Sequence, residues 1–489
     1  MAKIKSGTQV NRRTAKWRNP PAVGGGFYAL RGFSDGLSQL VAHCFPTSPD
    51  IQRVDDTINT TSLPQNICIV VNTMETETQV QESESPPRLL LKLISAGFAF
   101  FVAGINDGSL GALIPYIREA YQIDTNLVAV VYGTTFAGWF VAALSNSHLG
   151  QYLHLGVFLV LGAAMQVLAH ALRTWMPPFG LFAVTFFFAA LGQAYQDTYA
   201  NTFVASVKAA HRWLGFIHAM YMAGCLVGPF VSTAVASAGT QSRWNLFYTA
   251  PLGLGVVNLV LVLVAFRDSL AFKHGVNTGQ EARSGKIALQ EIWQTLSLPS
   301  VWVLSLYFFF FLGAVITAGG WIVEYLVHVR DGDLKQMGYV PAGFYGGAFI
   351  GRLVLAEPTY RLGERRMIIV YVLLCLALEL VFWLCVSQFS DVPNIITEAV
   401  AVSLLGFFSG PFFATGISVA SKLFSVEIRS SALAFIFVLG QVGGAIFPAI
   451  TGVLAARSGV KVLQPILVGL LGATGVTWLM LPKGRLHHD

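Results

Sequence analysis

From Leu89 onward the chain is a succession of apolar stretches, each about 20 residues or longer and separated by short polar breaks. A helix rising about 1.5 Å per residue needs that length to cross some 30 Å of hydrocarbon. The stretches lie near 91–116, 127–147, 152–172, 179–203, 213–237, 246–266, 300–327, 338–357, 366–386, 395–420, 430–456 and 461–481, which predicts twelve membrane-spanning helices. Composition excludes the main alternatives. Hydrophobic residues are 54% of the chain and charged residues 11%, against about 25% charged in a soluble domain. A soluble enzyme and a disordered scaffold are therefore ruled out. The net charge of +6 is not a nucleic-acid signal, because no basic helix or aromatic-interleaved patch carries it.

The five cysteines have no CxxC spacing, and no HExxH, GxSxG or Walker-type loop occurs. No enzyme activity, metal or cofactor is expected. Residues 1–87 are polar and broken by proline and glycine, which predicts a disordered cytoplasmic tail. The remaining chain divides into a six-helix bundle over 88–266, a charged central loop over 267–299, a second six-helix bundle over 300–482 and a short cytoplasmic C-terminus over 483–489. With the N-terminus inside, 24 of the 31 Lys and Arg fall on the cytoplasmic side and 7 outside, Arg173 counted among the latter. That bias places both termini in the cytoplasm. The plasma membrane is the expected location, with a vacuolar or other organelle membrane as the alternative, and a monomer in the lipid bilayer is the expected state.

The two halves read as copies. Tyr132 to Gly138 in span two is answered by Phe344 to Gly351 in span eight. Gly224, Gly228 and Pro229 in span five are answered by Gly440, Gly443, Gly444 and Pro448 in span eleven. Small residues so spaced let helices approach closely, and parallel six-span repeats are a transporter architecture. At this level the chain resembles the major facilitator superfamily. The segment Gly351-Arg352 through Arg361-Leu362-Gly363-Glu364-Arg365-Arg366 is similar to the superfamily's signature loop, whereas its first-half copy near Asn146 to Gly150 lacks the Asp and the basic residues. Span four, Gln196-Asp197-Thr198-Tyr199-Ala200-Asn201-Thr202, is similar to the Glu-Thr-Ala-Ala-Asn-Pro segment of the fucose:proton symporter branch, with Asp for Glu and Thr202 for Pro. Asn106-Asp107 matches that branch's intramembrane pair, and the surrounding Gly104 to Tyr116 resembles its fungal members. The resemblance implies a twelve-helix fold and proton-coupled movement of a sugar-like or other small polar solute. Efflux of a drug or secondary metabolite, and a non-transporting nutrient sensor, are the competing readings.

An ionisable side chain at bilayer depth costs several kcal/mol and marks function by default. Asp197 and Asp107 are therefore the expected proton-coupling residues, Asp107 either titrating with Asp197 or anchoring substrate. At 100° per residue Gln193, Gln196, Asp197 and Asn201 share one face of span four, while Leu191, Tyr195 and Tyr199 point away. Asn106, Gln193, Gln196, Asn201, His218, Trp321 and Tyr325 are the expected substrate contacts. Gly319-Gly320 before Trp321 is expected either to unwind span seven, lining the site or forming an outer gate, or to serve helix packing. Arg352, Arg365 and Arg366 with Glu427 are expected to form an inward gate. Phe412 and Phe413 read as lipid-facing or core rings, with a face for sugar stacking as the competing reading, and Glu379 reads as a structural partner. Aligning Gly313 on Gly104 sets Ile316 opposite Asp107, and aligning Gly406 on Gly192 sets Pro411 opposite Asp197. The carboxylates thus belong to the first half alone.

Overall fold

The computed structural model describes residues 86–150, 152–239, 242–270, 293–384 and 395–482. The expected N-terminal tail and most of the central loop lie outside them, as does the side chain of Glu427. Twelve helices run alternately up and down: α1 (Pro86–Tyr121), α2 (Thr125–Leu149), α3 (Leu155–Thr174), α4 (Phe179–Ser206), α5 (Ala210–Ala236), α6 (Thr249–Ala265), α7 (Pro299–Val329), α8 (Val340–Val354), α9 (Glu364–Leu384), α10 in two pieces (Ile395–Ser409 and Phe412–Leu423), α11 (Val426–Ser458) and α12 (Leu463–Met480). Among the described residues, eleven helices are long and apolar enough to cross a membrane. The twelfth, α8, has only 15 residues and continues after a bend into a short helix, Ala356–Leu362. The end of the molecule where α1 begins is here called proximal, and the opposite end distal.

Sequence chemistry explains the helix limits. Asp124 caps α2, its carboxylate accepting the Leu127 N–H at 3.0 Å. Proline stands in the first turn of α7 and of α8, where its missing N–H costs nothing. Span ten was expected as one helix, but it breaks at Gly410-Pro411. Proline has no N–H to continue the ladder, so a new helix starts at Phe412, its second residue Phe413 stacking on Phe437 at 5.8 Å.

The helices form two six-helix bundles with one packing plan. In the first, α1 packs on α5 and α6, α2 on α4, and α3 on α4 and α6. In the second, α7 packs on α11 and α12, α8 on α10, and α9 on α10 and α12. The bundles meet through α2 with α11, α5 with α8, and α1 with α7, pairs that exchange when six is added to each helix number. Close crossings need glycine. A Cβ on Gly104 would strike the Tyr221 carbonyl, and one on Gly224 the Phe101 carbonyl, so α1 and α5 touch backbone to backbone.

The bundles are drawn together at the distal end. Gly111 of α1 lies against the Gly319 carbonyl of α7, and the hydroxyls of Tyr345 and Tyr132 fill the space where side chains on Gly319 and Gly320 would stand. The unwinding expected at Gly319-Gly320 does not occur. α7 is helical throughout, and these glycines serve contact between helices. Phe230 of α5 meets Tyr339 before α8 at 5.8 Å between centroids. One ion pair also crosses: Arg118 Nη1 of α1 reaches Glu324 Oε2 of α7 at 2.5 Å, and His328 Nε2 lies 3.0 Å from the same oxygen. Glu324 is fully buried.

Removing one member of a fully buried ion pair costs about 3–5 kcal/mol; here Arg118 is partly exposed and His328 still reaches Glu324, so the cost is smaller. Arg118→Ala is therefore expected to lower the thermal stability of the purified protein, and adding Glu324→Gln to recover much of the loss. A double variant as unstable as Arg118→Ala alone would mean that the ion pair does not hold the distal end.

Candidate functional site

Asp107 stands in the middle third of α1, half-buried. Three donors from three helices converge on it. Asn106 Nδ2 donates to Oδ1 at 2.9 Å, Gln193 Nε2 of α4 to Oδ2 at 2.7 Å, and the Tyr221 hydroxyl of α5 to Oδ2 at 2.9 Å. Such a set suits an ionised carboxylate, which only accepts. Asp197 lies one turn further along α4 and is held by its own helix alone. Asn201 Nδ2 donates to its carbonyl at 2.9 Å and to Oδ1 at 3.3 Å. The two carboxyl groups are within electrostatic reach of each other, and Asp107, Asp197 and Asn201 all keep some exposure.

The face expected on α4 is split by the structure. Gln193, Asp197 and Asn201 stay together, while Tyr195 turns to α2, its hydroxyl 2.6 Å from that of Ser145. Tyr199 stacks on Phe158 of α3 at 4.0 Å. Gln196, at the margin of the arc, is buried and faces α3 and α6. It accepts from Gln166 at 2.8 Å and Asn258 at 3.2 Å, and it donates to the Leu159 carbonyl at 3.0 Å. Three of the four hydrogen-bonding positions of that amide are used inside the bundle, so the geometry makes it a rivet between helices and separates it from the Asp107 group.

The second-half residues divide likewise. Trp321 is fully buried, donates to the Pro448 carbonyl at 3.0 Å and faces Tyr132 at 6.3 Å, which places it in the distal contact between bundles. Tyr325 faces Phe382 of α9 at 5.6 Å, away from the Asp107 group. His218 of α5 sits between Phe100 of α1 at 5.3 Å and Phe413 of α10 at 5.5 Å, and Arg352 lies over the same Phe413 ring at 5.7 Å. Phe412, by contrast, is core. Among the described side chains of the expected inward gate, Arg352, Arg365 and Arg366 are not brought together. Arg365 donates to the main-chain carbonyls of Leu479, Leu481 and Pro482, capping the end of α12 within its own bundle. Arg366 is exposed. Glu364 pairs with Lys422 at 2.7 Å instead. Glu379 is buried beside Phe311, Leu405 and Ser409 inside the second bundle.

Sequence reasoning missed two members of the site. Tyr221 carries no intramembrane charge to draw attention, although its place three residues before Gly224 puts it at the α1–α5 crossing. Arg173 was counted among the outer-loop charges, and the structure corrects this. It is the penultimate residue of α3 and fully buried in the first bundle, with Nη1 donating to Asn106 Oδ1 and Nε to Thr185 Oγ1, each at 2.8 Å. The signal was the spacing of Gln166, His170 and Arg173, three polar residues one turn apart on one face. All three are buried.

Comparison with known proteins agrees with this fold. The profile of the Major Facilitator Superfamily matches residues 96–388 and 333–488. The chain is 25% identical over 428 residues to Bypass of stop codon protein 6 of Saccharomyces cerevisiae, covering 83% of this chain and 85% of that protein. It is 23% identical over 427 residues to a glucose/galactose transporter of Brucella abortus, covering 83% and 96%. Among solved structures, a bacterial homologue of the human lysosomal transporter Spinster superposes with a TM-score of 0.59 at 13% identity, covering 81% of this chain and 95% of that one. The fucose:proton symporter FucP of E. coli superposes with a TM-score of 0.58 at 16% identity, covering 81% and 100%. With the profile spanning nearly all of the twelve-helix region, the chain belongs to the Major Facilitator Superfamily and is a membrane transporter, not an enzyme.

Proposed function

We propose that this transporter moves a sugar-like polar solute by alternating access, driven by protons. The observation that carries the reading is the pairing of Asp107 and Asp197 on neighbouring helices of one bundle, with the amides of Asn106, Gln193 and Asn201 beside them. Carboxylates and amides are the groups that hold hydroxyls with directional hydrogen bonds, and a carboxyl that exchanges between a dry and a wet setting can load and release a proton. Asp197 has the role of proton carrier, since only its own helix donates to it. Asp107, with Gln193 and Tyr221, has the role of substrate anchor. His218, Phe413 and Arg352 form the facing wall from the α5–α10 side. The names of the Brucella and E. coli relatives support the substrate class and, for the latter, the coupling ion.

The test is uptake of labelled galactose into proteoliposomes with an imposed pH gradient. Asp197→Asn is expected to abolish accumulation while retaining counterflow. Asp107→Asn is expected to weaken binding itself. A lost hydrogen bond to a charged group is worth about 1.5–3 kcal/mol, or roughly ten- to a hundred-fold in half-saturation. Continued concentration of substrate by Asp197→Asn under the gradient would overturn the coupling assignment.

The charge bias supports a cytoplasmic location for both termini, with the distal end on the opposite side of the membrane. Epitope tags after Asp489 and between Gln280 and Lys286 are then expected to be protected in intact cells. Labelling of either from outside would reverse the orientation.

A further inference from the structure

We propose that Arg173 is the fixed counter-charge of Asp107, acting through the amide of Asn106, and that it keeps Asp107 ionised while Asp197 carries the proton. This rests on the transport reading above and assigns Arg173 as a positioning residue.

The arrangement is a relay across two helices. Arg173 Nη1 of α3 donates to Asn106 Oδ1 at 2.8 Å, and Asn106 Nδ2 donates to Asp107 Oδ1 at 2.9 Å. A guanidinium only donates, so the Asn106 oxygen must face it and the NH₂ must face Asp107. The amide is thus locked in one orientation and polarised in the direction that favours negative charge on the carboxyl. Arg173 itself is clamped. Its Nε donates to Thr185 of α4 at 2.8 Å, the guanidinium carbon sits 3.7 Å from the Phe186 ring centroid, and Tyr248 before α6 lies at 5.2 Å. No carboxylate within bonding distance of it appears among the described residues. A buried cation without an anion costs several kcal/mol, and Asp107 is the carboxylate whose field reaches it.

The amide between the charges has a use. A direct fork between Arg173 and Asp107 would occupy the carboxylate oxygens. With Asn106 interposed, Oδ2 remains free for Gln193 and Tyr221, donors that a substrate hydroxyl can replace. The other titratable or charged groups near Asp107 are Asp197 on α4, Tyr221 and Cys225 on α5, and Tyr345 on α8, with Arg352 on α8 beyond Tyr221 and Cys225. Near Arg173 they are His170 on α3 and Tyr248. No hydrogen bond or ion pair joins Asp197 to a cation among the described residues. One carboxyl is therefore pinned by charge, and the other is left free to change.

Infrared spectroscopy of the purified protein reads this without any substrate, through the C=O band of a protonated carboxyl. The diagnostic signal is the part of that band removed by Asp107→Asn. At neutral and mildly acidic pH it is expected to be absent from the wild type, present in Arg173→Gln, and suppressed again in Arg173→Lys, which restores the charge. Asn106→Leu cuts the relay with Arg173 in place and is expected to reveal the same band, which keeps the test open if Arg173→Gln does not fold. A protonated Asp107 already present in the wild type, or its absence from both relay-breaking variants, would overturn the proposal. Failure of galactose accumulation would instead strike the transport reading and leave this spectroscopic result standing.

Discussion

In lipid, a polar side chain that its own helix does not satisfy has no water to turn to, so its partner must come from another helix. That requirement organises the molecule. Gln166, Gln196 and Asn258 bind α3, α4 and α6 into one unit. Asn106, Asp107, Arg173, Gln193 and Tyr221 tie α1 to α3, α4 and α5. In the second bundle Arg330 pairs with Glu398 at 3.0 Å and joins the end of α7 to α10. Each web fixes the rotation of its helices more tightly than apolar contact between similar side chains and lipid tails can. Glycine crossings then let the backbones approach to the distance that the polar groups need.

Most of the fold was legible in the sequence, because span length and glycine spacing are local properties. Asp107 and Asp197 were legible too, as charges inside apolar runs. What escaped was decided by depth and rotation. Arg173 stands at the end of a run, where a charge is ordinarily read as loop, and only tertiary packing shows that it turns inward. Gln196 and Asp197 are 100° apart on α4, enough for one to face α3 and α6 and the other to keep its exposure. The signature-like loop suggested a gate from Arg352, Arg365 and Arg366, yet Arg365 is spent on the unpaired carbonyls at the end of α12, a local need that spacing does not reveal. The pair Gly319-Gly320 is compatible with either an unwound helix or a close contact. The facing hydroxyls of Tyr345 and Tyr132, on α8 and α2, decide for contact.

The two bundles share a packing plan but differ at their centres. Where α4 runs unbroken past Asp197, the corresponding α10 is interrupted at Gly410-Pro411. The break delivers Phe413 to the space between bundles, against His218. Hydrogen-bonding chemistry thus comes from the first bundle and an aromatic surface from the second.

Helix length adds a consequence for the distal ion pair. α1 has 36 residues and α7 has 31, or roughly 54 and 46 Å at 1.5 Å per residue, well beyond a hydrocarbon layer of about 30 Å. Arg118 and His328 stand in the last turns of these long helices, with side chains 24% and 53% accessible. Dissolved ions reach Arg118 and His328 but not the buried Glu324 carboxylate, so salt weakens that contact only in part. The ionic strength of the distal solution therefore acts, to a limited degree, on the joint between the bundles.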